Sequence, residues 1–199
     1  MNSKVYIVRL APLLYKPLAK KVARCNPKTV LDAGCGIGIL SLEIKKILRG
    51  SDVTGVDIDA HSIKVAKNMA IRNDMQINFI RADIHKFKFQ PTAYDAVVSK
   101  SAFCYWRDSE ILLNKFVKSL KRGGRLYVMD VRRDALFPRL ILMVGLSDLF
   151  DAKKGAFKDY IQRGKTMPEV REILTLAGIE KYKISKMFFG MYYLLEVGN

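Results

Sequence analysis

Histidine and cysteine are scarce in this 199-residue chain: His61 and His85 are its two histidines, and Cys25, Cys35 and Cys104 its three cysteines. An odd number of cysteines without CxxC spacing excludes a disulfide framework and a paired zinc site. So few imidazoles leave no metal centre to expect. No apolar run approaches the roughly 20 residues that a membrane span requires. The first residues, MNSKVYIVRLAPLLYK, mix Lys4 and Arg9 into the apolar ones and lack the basic head, unbroken apolar stretch and cleavage site of a secretory signal. A cytoplasmic location is the expectation. Acidic residues are missing from Met1 to Leu31, where Lys4, Arg9, Lys16, Lys20, Lys21, Arg24 and Lys28 fall. Over the whole chain 35 Lys and Arg face 19 Asp and Glu, a net charge of +16. Such a balance suits nucleic acid, an anionic membrane surface or an acidic substrate; its plainer reading is a well-solvated basic surface.

What the chain does contain is the profile of a soluble globular protein, 50% hydrophobic and 27% charged, long enough for one domain spanning residues 1–199. Apolar β-branched runs alternate with helical patterns. TVLDAG, DVTGVDI, INFIRAD, YDAVVSK and RLYVMD read as strands. Helical spacing follows from Ile39 to Leu48, around Ile63, Ala66 and Ala70, and from about Asp108 to Lys121, where Gly123 and Gly124 permit a left-handed stop. This alternation predicts an α/β fold, a doubly wound, mainly parallel Rossmann-like sheet. KYKISKMFF and MYYLLEV flank Gly190 and predict a terminal antiparallel hairpin. Thr166 and Glu169 have capping-box spacing, with Pro168 in the permissive first turn of the helix they open. Two regions exceed a bare alternating sheet. One is an amphipathic basic leader, residues 1–27, interrupted by Pro12 and Pro17. The other is an apolar insertion, residues 131–165, long enough to serve as a cap or lid.

Between the first strand and the first helix stand Gly34, Gly36 and Gly38. A strand, a glycine turn and a helix start make a pocket for a nucleoside-containing ligand at the carboxyl edge of a parallel sheet. The spacing is GxGxG, with Ile39 where the dinucleotide fingerprint needs its third glycine, and no GK[ST] follows for a phosphate loop. Asp32, just before the turn, opposes a pyrophosphate and suits a cation. Asp57 ends the second strand, at the distance where a carboxylate accepts hydrogen bonds from ribose hydroxyls. Asp83 ends the third, where a carboxylate can accept from an adenine amino group.

VLDAGCGIG, GVDID, IRADI, YDAVVSK and KRGGRLYVMD resemble, in order and spacing, the motifs of class I S-adenosylmethionine-dependent methyltransferases, in particular the ubiquinone and menaquinone biosynthesis branch. The resemblance covers Thr29 to Asp130, and TMPEVREILTLAGIEKYKI continues it. It implies S-adenosylmethionine as cofactor, with Gly34, Cys35 and Gly36 against its methionine part and Asp32 beneath the turn. It further implies Asp57 on the ribose with Ile58 packed on the adenine, Asp83 and the Ile84 amide reading that ring, and Ser99 or Lys100 bordering the sulfonium. Cys35 reads as a small packing residue rather than a reactive thiol.

The acceptor has to be read from the end of the fourth strand and from the cap. Methylases of amide or exocyclic amino nitrogens carry [DN]PP[YF] there, whereas this chain has KSAF, Lys100 to Phe103. Tyr105, Trp106 and Arg132 are candidate acceptor-binding residues, with Arg107 a further candidate for an anionic acceptor. Asp130 and His85 are candidate general bases, the latter because imidazole titrates near neutrality. The first expectation is a methyltransferase acting on a small, apolar or lipid-like molecule admitted under residues 136–150 and collected at an anionic membrane face. The second is an RNA or ribosome-associated methyltransferase, motivated by the net charge. The third is a noncatalytic regulatory protein that binds S-adenosylmethionine.

Overall fold

The computed structural model describes residues 14–135 and 156–198, and residues 14–23 are helical (α1). Most of the cap and the first half of the leader therefore lie outside the described residues. After α1 come β1 (Thr29–Ala33), α2 (Ile39–Ile47), β2 (Asp52–Asp57), α3 (Ala60–Arg72), β3 (Asn78–Arg81) and β4 (Tyr94–Lys100). Next are α4 (Ser109–Ser119), β5 (Leu120–Val131), α5 (Ala156–Arg163), α6 (Met167–Leu176), β6 (Tyr182–Met187) and β7 (Tyr192–Gly198). They form a 7-stranded sheet in the order β3-β2-β1-β4-β5-β7-β6. The first five strands are parallel, and β7 inserts antiparallel between β5 and β6. This is the expected doubly wound α/β sheet with its terminal hairpin.

Strand alternation sends neighbouring residues to opposite faces, and both faces are covered. Leu31, Val97, Leu126 and Val128 pack with Leu112 and Phe116 of α4 and Val170 and Leu174 of α6. Their neighbours Val30, Ala96, Val98, Tyr127 and Met129 pack with Leu40 and Ile44 of α2, Leu18 and Val22 of α1, and Ile161 of α5. Burial on both faces explains why these strands read as unbroken apolar runs rather than alternating ones. The described part of the leader spends its apolar side here: Leu18, Ala19 and Val22 are fully buried against the sheet.

Two boundaries differ from the sequence reading. α4 ends at Ser119 instead of running to Lys121, because Leu120 is already extended and pairs with Tyr94. Gly123 adopts its left-handed φ of 77° inside β5, next to a register shift between Tyr94 and Ala96, so it bends a strand rather than stopping a helix. In the β6–β7 turn Gly190 is left-handed, and Phe188 and Phe189 also have positive φ, 49° and 57°. The capping box of α6 is present: the Thr166 hydroxyl accepts from the Glu169 N–H, and the Glu169 carboxylate accepts from the Thr166 N–H at 2.7 Å.

Candidate active site

The carboxyl ends of β1, β2 and β4 surround a cavity of about 470 Å³, within the usual size of a small-molecule site. The turn after β1 is pinned to its neighbour, since the Gly34 and Cys35 N–H groups both donate to the Val56 carbonyl, at 2.8 and 3.0 Å. Gly34 has φ +74°, and a Cβ built on it would lie 2.5 Å from the Ala102 Cβ, so only glycine lets the turn approach the β4 loop. Gly36, at φ +53°, is different: nothing lies within 4 Å of the Cβ position, because that direction is open space in the cavity.

Three carboxylates ring this opening. Asp57 accepts the Gly36 N–H at 2.7 Å and the Asp59 N–H at 2.9 Å, which orients its carboxylate across the mouth of the turn. Asp83 accepts the His85 N–H at 2.9 Å and faces the His85 Nδ1 at 3.1 Å, and these bonds hold its pKa below the ordinary carboxylate range. Asp32 is 1% exposed and accepts from the Ser41 hydroxyl at 2.6 Å. Burial dominates there, and with the nearby Asp57 charge it raises the Asp32 pKa to about 7 against the favourable Ser41 bonds. The site thus contains a carboxyl that a cationic ligand would ionise.

Of the residues expected to hold the cofactor, Asp32, Gly34, Cys35, Gly36, Asp57, Ile58, Asp83, Ile84 and Lys100 all line the cavity. Ser99 does not; it is fully buried, and its hydroxyl donates to the Ala33 carbonyl at 2.7 Å, tying β4 to β1. The Cys35 thiol pKa is pushed far up, by burial first and then by Asp32 and Asp57, which fits a packing role. Tyr105 and Trp106 line the cavity, Trp106 with its ring wedged edge-on between Phe103 and Phe116. Arg132 does not line it; the guanidinium is held by Asp134 at 3.1 Å and the Gly190 carbonyl at 3.2 Å.

The two candidate bases part company. His85 is on the cavity wall, with its Nε2 2.9 Å from the Arg107 carbonyl and its Nδ1 against Asp83, so both ring nitrogens are engaged. Asp130 is buried and does not line the cavity, accepting from the Tyr160 hydroxyl at 2.6 Å, the Val131 N–H at 2.7 Å and the Cys104 N–H at 3.0 Å. Burial raises its pKa despite those bonds. One lining residue had no sequence signal: Tyr15, brought from α1 to the cavity by the packing of Leu18 and Val22. Among the described residues no cluster of His, Cys, Asp or Glu could hold a metal ion, and no helix is long and apolar enough to cross a membrane.

Residues 26–176 match the family model described as a methyltransferase domain. The chain belongs to the methyltransferase domain family. It is 27% identical over 128 residues to a ubiquinone biosynthesis O-methyltransferase of Pectobacterium carotovorum, covering 64% of this chain and 53% of that one. It is 32% identical over 104 residues to a demethylmenaquinone methyltransferase of Thermus thermophilus, covering 52% and 47%. The chain thus spans about half the length of the curated relatives it matches. Among solved structures, the plantazolicin methyltransferase BpumL in complex with a monoazolic desmethylPZN analog and SAH superposes with a TM-score of 0.79 at 19% identity, covering 99% of this chain and 88% of that one. At that identity the superposition speaks for the fold, that of the S-adenosylmethionine-dependent class. The cavity fits S-adenosylmethionine on local grounds too: a bare backbone at Gly36 faces it, and carboxylates stand at three strand ends around it.

Proposed function

We propose that this protein transfers the methyl group of S-adenosylmethionine to a small, apolar or lipid-like acceptor. The observation that carries the reading is the single cavity in which an open glycine turn meets Asp32, Asp57 and Asp83. The cofactor, when bound, supplies a methyl group on a positively charged sulfur. The protein's part is to hold and align. The Asp57 carboxylate, already oriented by the Gly36 and Asp59 amides, takes the ribose hydroxyls with its remaining lone pairs. Asp83 and the Ile84 amide meet the adenine, Ile58 covers it, and Asp32 lies under the cationic end. Holding an acceptor lone pair in line with the methyl carbon, with water kept out, can supply several kcal/mol of barrier lowering.

Tyr105 and the buried face of Trp106 favour an aromatic or apolar acceptor, and the ubiquinone and menaquinone enzymes among the relatives support a quinone-like ring. Among the described residues the apolar side of α1 is used in the core, and the basic side chains of Lys16, Lys20 and Arg24 stay exposed for contact with an anionic membrane. Incubation with methyl-labelled S-adenosylmethionine and cell extract, fractionated into lipid, RNA, protein and small-molecule pools, tests the reading. Label in the lipid or small-molecule pool is expected. Label in RNA would instead favour the second class of acceptor that the +16 charge suggests. Cofactor binding with no label in any pool would identify a regulatory protein.

A further inference from the structure

Among the described residues Lys100 is the one lysine lining the cavity, at the carboxyl end of β4, and it is 7% exposed. Its Nζ lies 4.1 Å from the centre of the Tyr15 ring and 5.2 Å from that of Tyr192. It donates to the Ser101 hydroxyl at 3.1 Å and makes no ion pair among the described residues. A buried ammonium with one hydrogen bond and no carboxylate contact leaves most of its donor capacity unused. In the proposed reaction that amine also shares the cavity with a sulfonium, and two cations in one low-dielectric site repel strongly. A neutral amine would relieve this conflict.

We propose, building on the function proposed above, that Lys100 takes the proton of an ionisable hydroxyl on the methyl acceptor, so that the substrates of this site are phenols or enols. The acceptor's O–H bond breaks and its proton adds to the Nζ lone pair. The oxygen's freed electron pair forms the bond to the methyl carbon, and the pair of the broken carbon–sulfur bond stays on sulfur. One positive charge is present before and after the step; it ends on Nζ, between the Tyr15 and Tyr192 ring faces, which favour a cation.

The surroundings suit a base near neutrality. Burial lowers the Lys100 pKa to about 8, against the attraction of Asp130. Among the described residues, Tyr15 of α1 and Tyr192 of β7 face it, both held protonated by burial, and Asp32, Asp57, Asp83 and His85 line the same cavity. Asp130 is itself tied to Tyr160 of α5 and to the Cys104 amide. It tunes the amine from a distance without quenching it.

The test follows the Lys100 side chain directly. In lysine-labelled protein, its Cε resonance, assigned by its loss in Lys100→Met or Lys100→Arg, is titrated with pH alone, with S-adenosylmethionine and with neutral S-adenosylhomocysteine. The expected midpoint is about 8 in the free protein. It falls by about one further pH unit with the sulfonium and not with the thioether. Turnover is compared on catechol and on 2-aminophenol methyl ether, an aniline. Methylation of catechol at saturating S-adenosylmethionine, cut about 100-fold in the uncharged Lys100→Met, supports the proposal. A midpoint near 10.5, equal midpoints with both ligands, full turnover in Lys100→Met or preference for the aniline overturns it. If calorimetry detects neither ligand on the wild type, the proposed function falls first and takes this inference with it.

Discussion

Replacing Asp32 by Asn separates what this carboxyl costs the fold from what it does for a ligand. In the folded protein its pKa is about 7, against 3.8 for an ordinary Asp. A raised carboxyl pKa means that the native state keeps a proton which the unfolded state releases, so stability falls as pH rises between those two values. Each pH unit in that window is worth about 1.4 kcal/mol, which gives about 4 kcal/mol by pH 8 as an upper bound. Asn keeps the shape and can still accept the Ser41 hydroxyl, but carries no charge. Urea unfolding at each pH from 4 to 8 is the assay. The difference between the two proteins, which cancels Asp130 and the other carboxyls, should be small at pH 4 and grow to several kcal/mol in favour of Asp32→Asn at pH 8. Cofactor affinity should move oppositely, rising with pH through about 7 more steeply in the wild type than in the variant, where it stays lower. A variant less stable than wild type at pH 8, or an unchanged pH slope, would refute the reasoning.

Three further outcomes follow from single contacts. Thr166→Ala removes one half of the α6 capping box and should cost about 1 kcal/mol, read as a lower urea midpoint with an unchanged slope. Tyr160→Phe takes a hydroxyl from a buried carboxylate, so it should destabilise by about 2 kcal/mol at pH 8, with a loss that shrinks as pH falls and Asp130, its pKa raised by burial, takes up a proton. Phe116→Ala, at the centre of the aromatic stack with Trp106 and Phe89, should cost about 3–5 kcal/mol in chemical unfolding.

Much of the architecture was legible because strands buried on both faces leave apolar runs, and because a parallel sheet puts its polar strand ends on one edge. Thr29–Ala33 and Asp52–Asp57 each run apolar into an aspartate at or near the carboxyl end, and the glycine spacing marks the turn between strand and helix. What the sequence could not supply was side-chain direction at single positions. Ser99 and Lys100 are adjacent in β4, and a period of two sends one to the Ala33 carbonyl and the other into the cavity. Tyr15 reaches the site only because α1 packs on the sheet, a long-range event with no local pattern. Asp130 ends its strand as a base would, yet Tyr160 and the Cys104 amide cover it from elements distant in sequence. The Gly123–Gly124 pair was read as a helix stop because glycine freedom serves a bent strand equally well. The apolar cap, residues 136–150, lies outside the described residues and stays a reading of the sequence.

Calorimetric titration of S-adenosylmethionine into the wild type and into Gly36→Val, each checked for folding by circular dichroism, tests the central claim most directly. The valine methyls would occupy the open space that Gly36 now leaves in the cavity, at a backbone φ of +53° that also strains a β-branched residue. Saturable binding to the wild type and none to the folded variant is predicted. Equal affinity in both proteins, or no binding to either, would contradict the assignment of this cavity to the cofactor.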